Sequence, residues 1–359
     1  MKKIKTALVS VFNKNGLDKI LKILNELDVK FVSTGGTHDY IQSLGYEATT
    51  VESLTTYPSI LGGRVKTLHP KVMGGILARG DNDNDNKQLE EYDIIPIDLV
   101  IVDLYPFEDT LELTDNEGEI IEKIDIGGIT LIRAAAKNFK EVLVVPSSGL
   151  YEEFVELLNN KSGNTDIDDR KYYAAQSFKV SSHYDSVIFN WMNNGEIDSF
   201  KQSFGDGTVL RYGENPHQKG SYYGNMDEVF EQIHGKAISY NNLLDLDAAI
   251  NLINDFDETT FAVIKHNNAC GLASRENLCE AWNDALAGDP LSAFGGVLVT
   301  NRNIDLATAK EINKIFFEII IAPLCLINVP FFCLIGAPFV VPIPKTKTVI
   351  FFSFAAAIS

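Results

Sequence analysis

The sequence predicts an α/β protein built on a parallel sheet. Two observations carry this. Short apolar runs of strand length alternate with helical patterns along the first part of the chain, and polar glycine-rich turns stand between a run and the helix after it. In order, 6–11 reads as a first buried strand. Segment 17–27 sets Leu17, Ile20, Leu21, Ile23, Leu24 and Leu27 on one helical face. Segment 30–33 is strand-like and ends in the turn STGGT, and 38–44 reads as a helix closed by Gly45. The run 98–104, DLVIVDL, has the composition of a strand buried on both faces. Helix 129–138, strand 142–145 and helix 150–158 follow. Ligands on such sheets bind beyond the carboxyl ends of the strands.

The chain has 359 residues, enough for roughly two domains at about 150 residues each. A helical stretch over 170–194 leads to FGDGTVLRYGENPHQ, whose glycines suit a linker, so the boundary is expected near residue 200. Acidic residues outnumber basic ones 49 to 31, a formal net charge of −18. That balance disfavours general binding to nucleic acid or an anionic membrane, while a local cluster of Lys and Arg still admits a small anionic substrate. The four cysteines, Cys270, Cys279, Cys325 and Cys333, include no C-x-x-C pair. Neither a disulfide scaffold nor a structural zinc site is expected, no metal is expected elsewhere, and a reducing cytoplasm fits. The basic start is followed by too short an apolar stretch for a signal peptide. The run DNDNDN at 81–86 lacks the Gly and Glu of a calcium loop and reads as a solvated loop.

Three segments of the first domain carry chemistry. Ser33-Thr34-Gly35-Gly36-Thr37 follows a strand and precedes a helix, with Lys14 in the turn after the first strand. It suits a phosphate cradle or a plain strand-to-helix turn. In Gly62-Gly63-Arg64-Val65-Lys66-Thr67, an extended backbone would turn Arg64 and Lys66 to one face, as an anion site or a solvated basic loop. Asp125-Ile126-Gly127-Gly128 opens a helix carrying Arg133 and Lys137. Asp125 and Lys137 read as a proton-transfer pair or as a surface ion pair. Tyr105 stands at the end of the 98–104 strand, as a site phenol or a core Tyr.

Together SVFNKNGL, STGGT, LGGRVKTLHPKVMGGIL, LYPF, IDIGG and RAAAKN resemble, in order and spacing, the IMP cyclohydrolase domain of the bifunctional AICAR transformylase/IMP cyclohydrolase family. The resemblance implies a methylglyoxal-synthase-like parallel-sheet domain over 1–200. It implies that Ser10, Lys14, Ser33, Thr34, Gly35, Gly36, Thr37, Arg64, Thr67, Gly127 and Gly128 bind substrate and that Lys66, Tyr105, Asp125 and Lys137 are catalytic. Phe12 and Asp103 depart from the family pattern, which has a small polar residue and Asn there. The implied reaction closes the formylated AICAR ribotide (FAICAR) to IMP with loss of water.

In the second half, RYGENPHQ, KHNNACG and DPLSAFGG resemble the start of the family's transformylase domain, which has a cytidine-deaminase-like fold. This implies ribotide contacts from Arg211 and Tyr212. Lys265 and His266 would serve formyl transfer from 10-formyltetrahydrofolate, a co-substrate rather than a tightly bound cofactor, to AICAR. From the residues alone, a strand ending in Lys265-His266 presents a cation and a base at a sheet edge, or a structural His. The resemblance ends near Pro323, leaving a partial domain over 201–323 and an apolar tail over 324–359 that carries only Lys345 and Lys347 as charges. An out-of-frame tail is the reading, a membrane anchor the alternative, and weak transformylase activity the expectation. A homodimer is also implied. The competing functions are a methylglyoxal-synthase-like lyase and a nucleotide-sensing regulatory module.

Overall fold

The structure, a computed structural model, describes residues 1–224, 226–323 and 339–342. The chain divides into two units, Met1–Ser203 and Phe204–Ser359.

The first unit holds a five-stranded sheet in the order Ala48–Thr50, Lys30–Ser33, Thr6–Ser10, Leu99–Val102, Leu143–Val145. Every pairing is parallel. Residues alternate between two apolar layers, as a period of two demands. Ala7, Val9, Leu99 and Ile101 pack with Leu17, Leu21, Leu24 and Phe154 on one face. Leu8, Val100 and Val102 pack with Val72, Ile76, Leu131 and Ala135 on the other. The chain builds outward from the central strand Thr6–Ser10 to one edge, then returns to place Leu99–Val102 on its other side. The strand order therefore reverses between Thr6–Ser10 and Leu99–Val102, and the turns leaving those two strands diverge and open a crevice.

Several elements differ from expectation. The helix expected from residue 38 starts at Gly35, so the glycines belong to its first turn. The segment 81–86 is not a loop throughout. Asn82 caps a helix, Asp83–Glu91, its side chain accepting the amides of Asn84 and Asp85 at 3.0 Å. Asp83 and Asp85 in the first turn favour the helix dipole, which offsets the weak helix propensity of Asn and Asp. Asp85 also binds Arg79, which holds its carboxyl down at about 2. The helix remains solvated, with no buried residue. Residues 61–66 are a tight turn rather than an extended segment.

The second unit holds a mixed six-stranded sheet, in the order His234–Gly235, Phe339–Pro342, Phe317–Ala322, Gly296–Thr300, Thr260–Lys265, Asn268–Ser274. Phe261, Val263 and Leu298 pack with Trp282 on one face, and Ala262, Val297 and Val299 with Leu246 and Ala249 on the other. Within the segment read as an apolar tail, Phe339–Pro342 pairs in parallel with Phe317–Ala322. The rest of that tail lies outside the described residues. No helix among the described residues is long and apolar enough to cross a membrane.

Candidate active site

The turns leaving the two central strands line a cavity of about 730 Å³ together with the glycine turns before two helices. Its cradle is built by the Gly35–Ser43 helix. Thr34 precedes that helix in extended conformation, yet its side chain caps no amide. The hydroxyl pairs instead with Ser10 Oγ at 3.1 Å. The positive end of the helix thus carries no side-chain cap, and of its first-turn amides Thr37 N donates to Thr34 O at 3.1 Å. Thr37 is tied to the first strand's turn, accepting from Val11 N and donating to Val11 O. Lys14 folds back over the same turn, donating to Val11 O at 3.1 Å and Phe12 O at 2.9 Å.

Lys66 packs against two glycine backbones. A Cβ on Gly35 would lie 3.2 Å from its Nζ, and one on Gly63 would lie 2.7 Å from its Cε. Lys66 therefore stands over the first residue of the cradle helix. Gly63 has φ +90°, a left-handed conformation open to glycine at little cost. Arg64 also lines the cavity, but its guanidinium is exposed and paired with Glu122. Arg64 and Lys66 do not form the one-faced cation pair that an extended segment would give, because the turn separates them.

Elsewhere on the lining, Asp125 stands just before the Gly127–Lys137 helix and accepts the amide of Ile129 at 2.9 Å. Its own amide donates to the Tyr184 hydroxyl, which donates in turn to Lys123 O at 2.5 Å. Burial pushes the Asp125 carboxyl up, the Ile129 and Gly128 amides oppose this, and the Asp103 charge adds to the rise. Burial also pushes the Tyr184 phenol up to about 12, so it remains a donor at neutral pH. Thr67, Gly127, Gly128 and Tyr105 complete this part of the lining, with Tyr105 partly exposed.

Two residues expected in the site stand apart from it. Ser33 is fully buried within its strand, and its hydroxyl donates to Val9 O at 2.7 Å. A strand's alternation turns it into the sheet, away from the cavity. Lys137 is the last residue of the helix that Gly127 begins, which carries it about 15 Å along the axis. It is exposed, does not line the cavity and does not pair with Asp125. Conversely, Asp103 enters the cavity as a site group the sequence marked only as a departure. It accepts the amides of Phe12 and, at 2.9 Å, Asn13. Its position at the carboxyl end of a central strand is the signal that could have found it. Burial pushes its carboxyl up, against those two amides and Lys14.

In the second unit, Arg211 donates to the Tyr212 hydroxyl at 2.8 Å with its guanidinium 4.7 Å from that ring's centroid. Lys265 ends its strand and donates to Phe294 O at 2.8 Å. His266 is exposed in a two-residue turn with Asn267, both at positive φ, between the paired strands Thr260–Lys265 and Asn268–Ser274. It belongs to a hairpin tip, not to the strand itself. Among the described residues, no group of three His, Cys, Asp or Glu side chains is placed to hold a metal ion.

Comparison with known proteins adds to this geometry. Residues 16–130 match the MGS-like domain, and residues 135–327 match the AICARFT/IMPCHase bienzyme. A bifunctional purine biosynthesis protein PurH from Bacteroides thetaiotaomicron is 61% identical over 322 residues, covering 90% of this chain and 64% of that relative. One from Caldicellulosiruptor bescii is 44% identical, covering 89% and 65%. A solved structure described as "Crystal structure of ForH" covers 53% of this chain and 99% of its own at 31% identity, with a TM-score of 0.47. The chain spans a little under two thirds of the length of these two relatives. With more than half of its residues matched to one family model, the chain belongs to the AICARFT/IMPCHase bienzyme family.

Proposed function

We propose that the first unit closes a formamido-imidazole carboxamide ribotide to IMP. One observation carries the reading. A single cavity joins a helix N-terminus without a side-chain cap, flanked by Lys14 and Lys66, to a half-buried carboxyl, Asp125, at the start of a second helix. The first end suits a phosphate, by dipole and by charge. The second suits a proton acceptor beside backbone donors.

The ring closes when the carboxamide nitrogen attacks the formyl carbon of the same molecule. Holding those atoms in contact removes much of the barrier, since the step is already intramolecular. Asp125 takes a proton from the attacking nitrogen. The Gly127 amide, at the positive end of its helix, faces the charge developing on the formyl oxygen, while the Gly128 amide holds the Asp125 carboxylate. Tyr105 gives that oxygen a proton, and the resulting hydroxyl leaves as water with the proton held by Asp125. The formamide nitrogen then loses its proton as the C=N bond forms, and Tyr105 is restored. Addition of the formylated ribotide, followed by IMP absorbance, tests the reading. No absorbance change with the folded chain overturns it.

For the second unit we propose the family's formyl transfer from 10-formyltetrahydrofolate to AICAR, with Arg211 and Tyr212 on the ribotide and Lys265 and His266 at the transfer. The family match over residues 135–327 supports this. Tetrahydrofolate release from AICAR and the folate tests it. A homodimer in a reducing cytoplasm, independent of nucleic acid and membrane, belongs to the same proposal. It is supported by the family resemblance, the net charge of −18 and the free thiols of Cys270 and Cys279. Light scattering of the purified chain tests the dimer.

A further inference from the structure

The cavity holds an aromatic side chain, Phe12, that the ring-closing chemistry does not use. Phe12 follows the first central strand, and its side chain is half exposed at 50%. Its ring meets the Tyr105 ring edge to face, with centroids 5.5 Å apart and planes at 79°. Both residues line the cavity. The Lys123 ammonium stands 5.6 Å from the Phe12 centroid and 5.7 Å from the Tyr105 centroid. Three separate chain segments thus converge on one cation–aromatic cluster at the cavity wall.

The backbone holds each member. The Phe12 amide donates to Asp103 and its carbonyl accepts from Lys14. The Lys123 carbonyl accepts from Tyr184, whose hydroxyl also takes the Asp125 amide. The aromatic cluster and the proton acceptor are therefore fixed by the same tyrosine. A large apolar ring left half exposed in a polar cavity is unfavourable in water, and covering it with a flat partner lowers the free energy. The same cavity has an anion cradle, so the partner that satisfies both is a phosphate joined to a planar heteroaromatic ring.

We propose that Phe12 is a specificity residue of this cavity, the apolar wall on which the heteroaromatic ring of a nucleoside monophosphate stacks. Lys123 is its positioning residue, holding Phe12 and Tyr105 in orientation through their ring faces. The inference rests on the ribotide reading and deepens it by naming what distinguishes a nucleotide from a bare sugar phosphate. A sugar phosphate fills only the cradle and gains nothing from Phe12.

The test is calorimetric titration of the full chain with IMP and, separately, with ribose 5-phosphate. Phe12→Ala weakens IMP binding by about tenfold, the scale of losing one base-stacking aromatic, and leaves ribose 5-phosphate unchanged. Phe12→Tyr retains IMP affinity. Lys123→Ala gives a smaller loss confined to IMP, and Lys123→Arg restores it. Unchanged IMP affinity in Phe12→Ala overturns the proposal, as does an equal loss for both probes. If the unaltered chain binds IMP and shows the Phe12 effect but closes no ring, the cyclisation reading fails and the stacking wall stands. If it closes the ring and Phe12→Ala binds IMP normally, the stacking wall alone fails. If it binds no IMP, both fail.

Discussion

The Asp103 carboxylate accepts the backbone amide of Asn13 at 2.9 Å. One hydrogen bond thereby joins the turns that leave the two central strands, Thr6–Ser10 and Leu99–Val102, at the point where the strand order reverses. The crevice depends on those turns diverging, and Asp103 bridges its floor. Its charge also reaches Asp125, so one carboxylate shapes the cavity and adjusts the proton affinity of the other.

Asp125→Asn lowers ring closure by about 100-fold or more, the usual weight of a general base. The amide oxygen still accepts from Ile129, so the fold survives. Initial rates of IMP formation and an unchanged melting curve check both halves. A folded variant turning over at the parent rate rejects Asp125 as the base.

Asp103→Asn moves the acidic limb of the pH–rate profile to lower pH. Burial and the Asp103 charge both raise the Asp125 carboxyl, and a base must be ionised to act. Removing a like charge lowers that pKa, so activity persists further into acid. Stability shifts with it. A carboxyl raised in the folded state contributes stability below its unfolded pKa and loses it as pH rises through the folded value. The variant is therefore less sensitive to rising pH over that window. A pH–rate profile and melting curves between pH 4 and pH 7, roughly the range above an unperturbed Asp, decide it. An acidic limb that stays in place refutes the coupling.

Gly63→Ala and Gly62→Ala form a matched pair. Both glycines have positive φ, at +90° and +66°, so each substitution costs about 1–2 kcal/mol of backbone strain. Only the Cβ at position 63 meets Lys66, at 2.7 Å, while nothing lies within 4 Å of one at 62. Both variants melt earlier, and only Gly63→Ala loses IMP affinity, because only it displaces the lysine from the cradle. Equal IMP affinity in the two variants removes Lys66 from the cradle.

Tyr184→Phe leaves the Asp125 amide and the Lys123 carbonyl without their shared partner. The cost is about 1–3 kcal/mol of stability, the penalty for half-buried polar groups left unpaired. Both groups stand in the turn that carries Asp125 and Lys123, so ring closure slows as well. Urea unfolding gives the first number and steady-state kinetics the second. A variant as stable as the parent shows that water replaces the phenol.

The layered α/β plan was legible in the sequence because burial on both faces leaves a local trace. Runs such as Leu99–Val102 are apolar at every position, and Leu17, Leu21 and Leu24 repeat at the helical period. The two glycine turns were legible for a similar reason, since Gly35 and Gly127 each begin a helix at the cavity. What a side chain meets was decided elsewhere. Ser33 and Thr34 are neighbours in one motif, but strand alternation turns Ser33 into the sheet and leaves Thr34 on the cavity. Asp125 and Lys137 read as a pair, yet a helix of 11 residues holds them at opposite ends. Phe12, Tyr105 and Lys123 show no relation in sequence and meet through their rings. Local pattern encodes burial, because burial falls on one residue at a time. Which side chains share one cavity depends on strand order and helix length, and those are set only when the whole sheet closes.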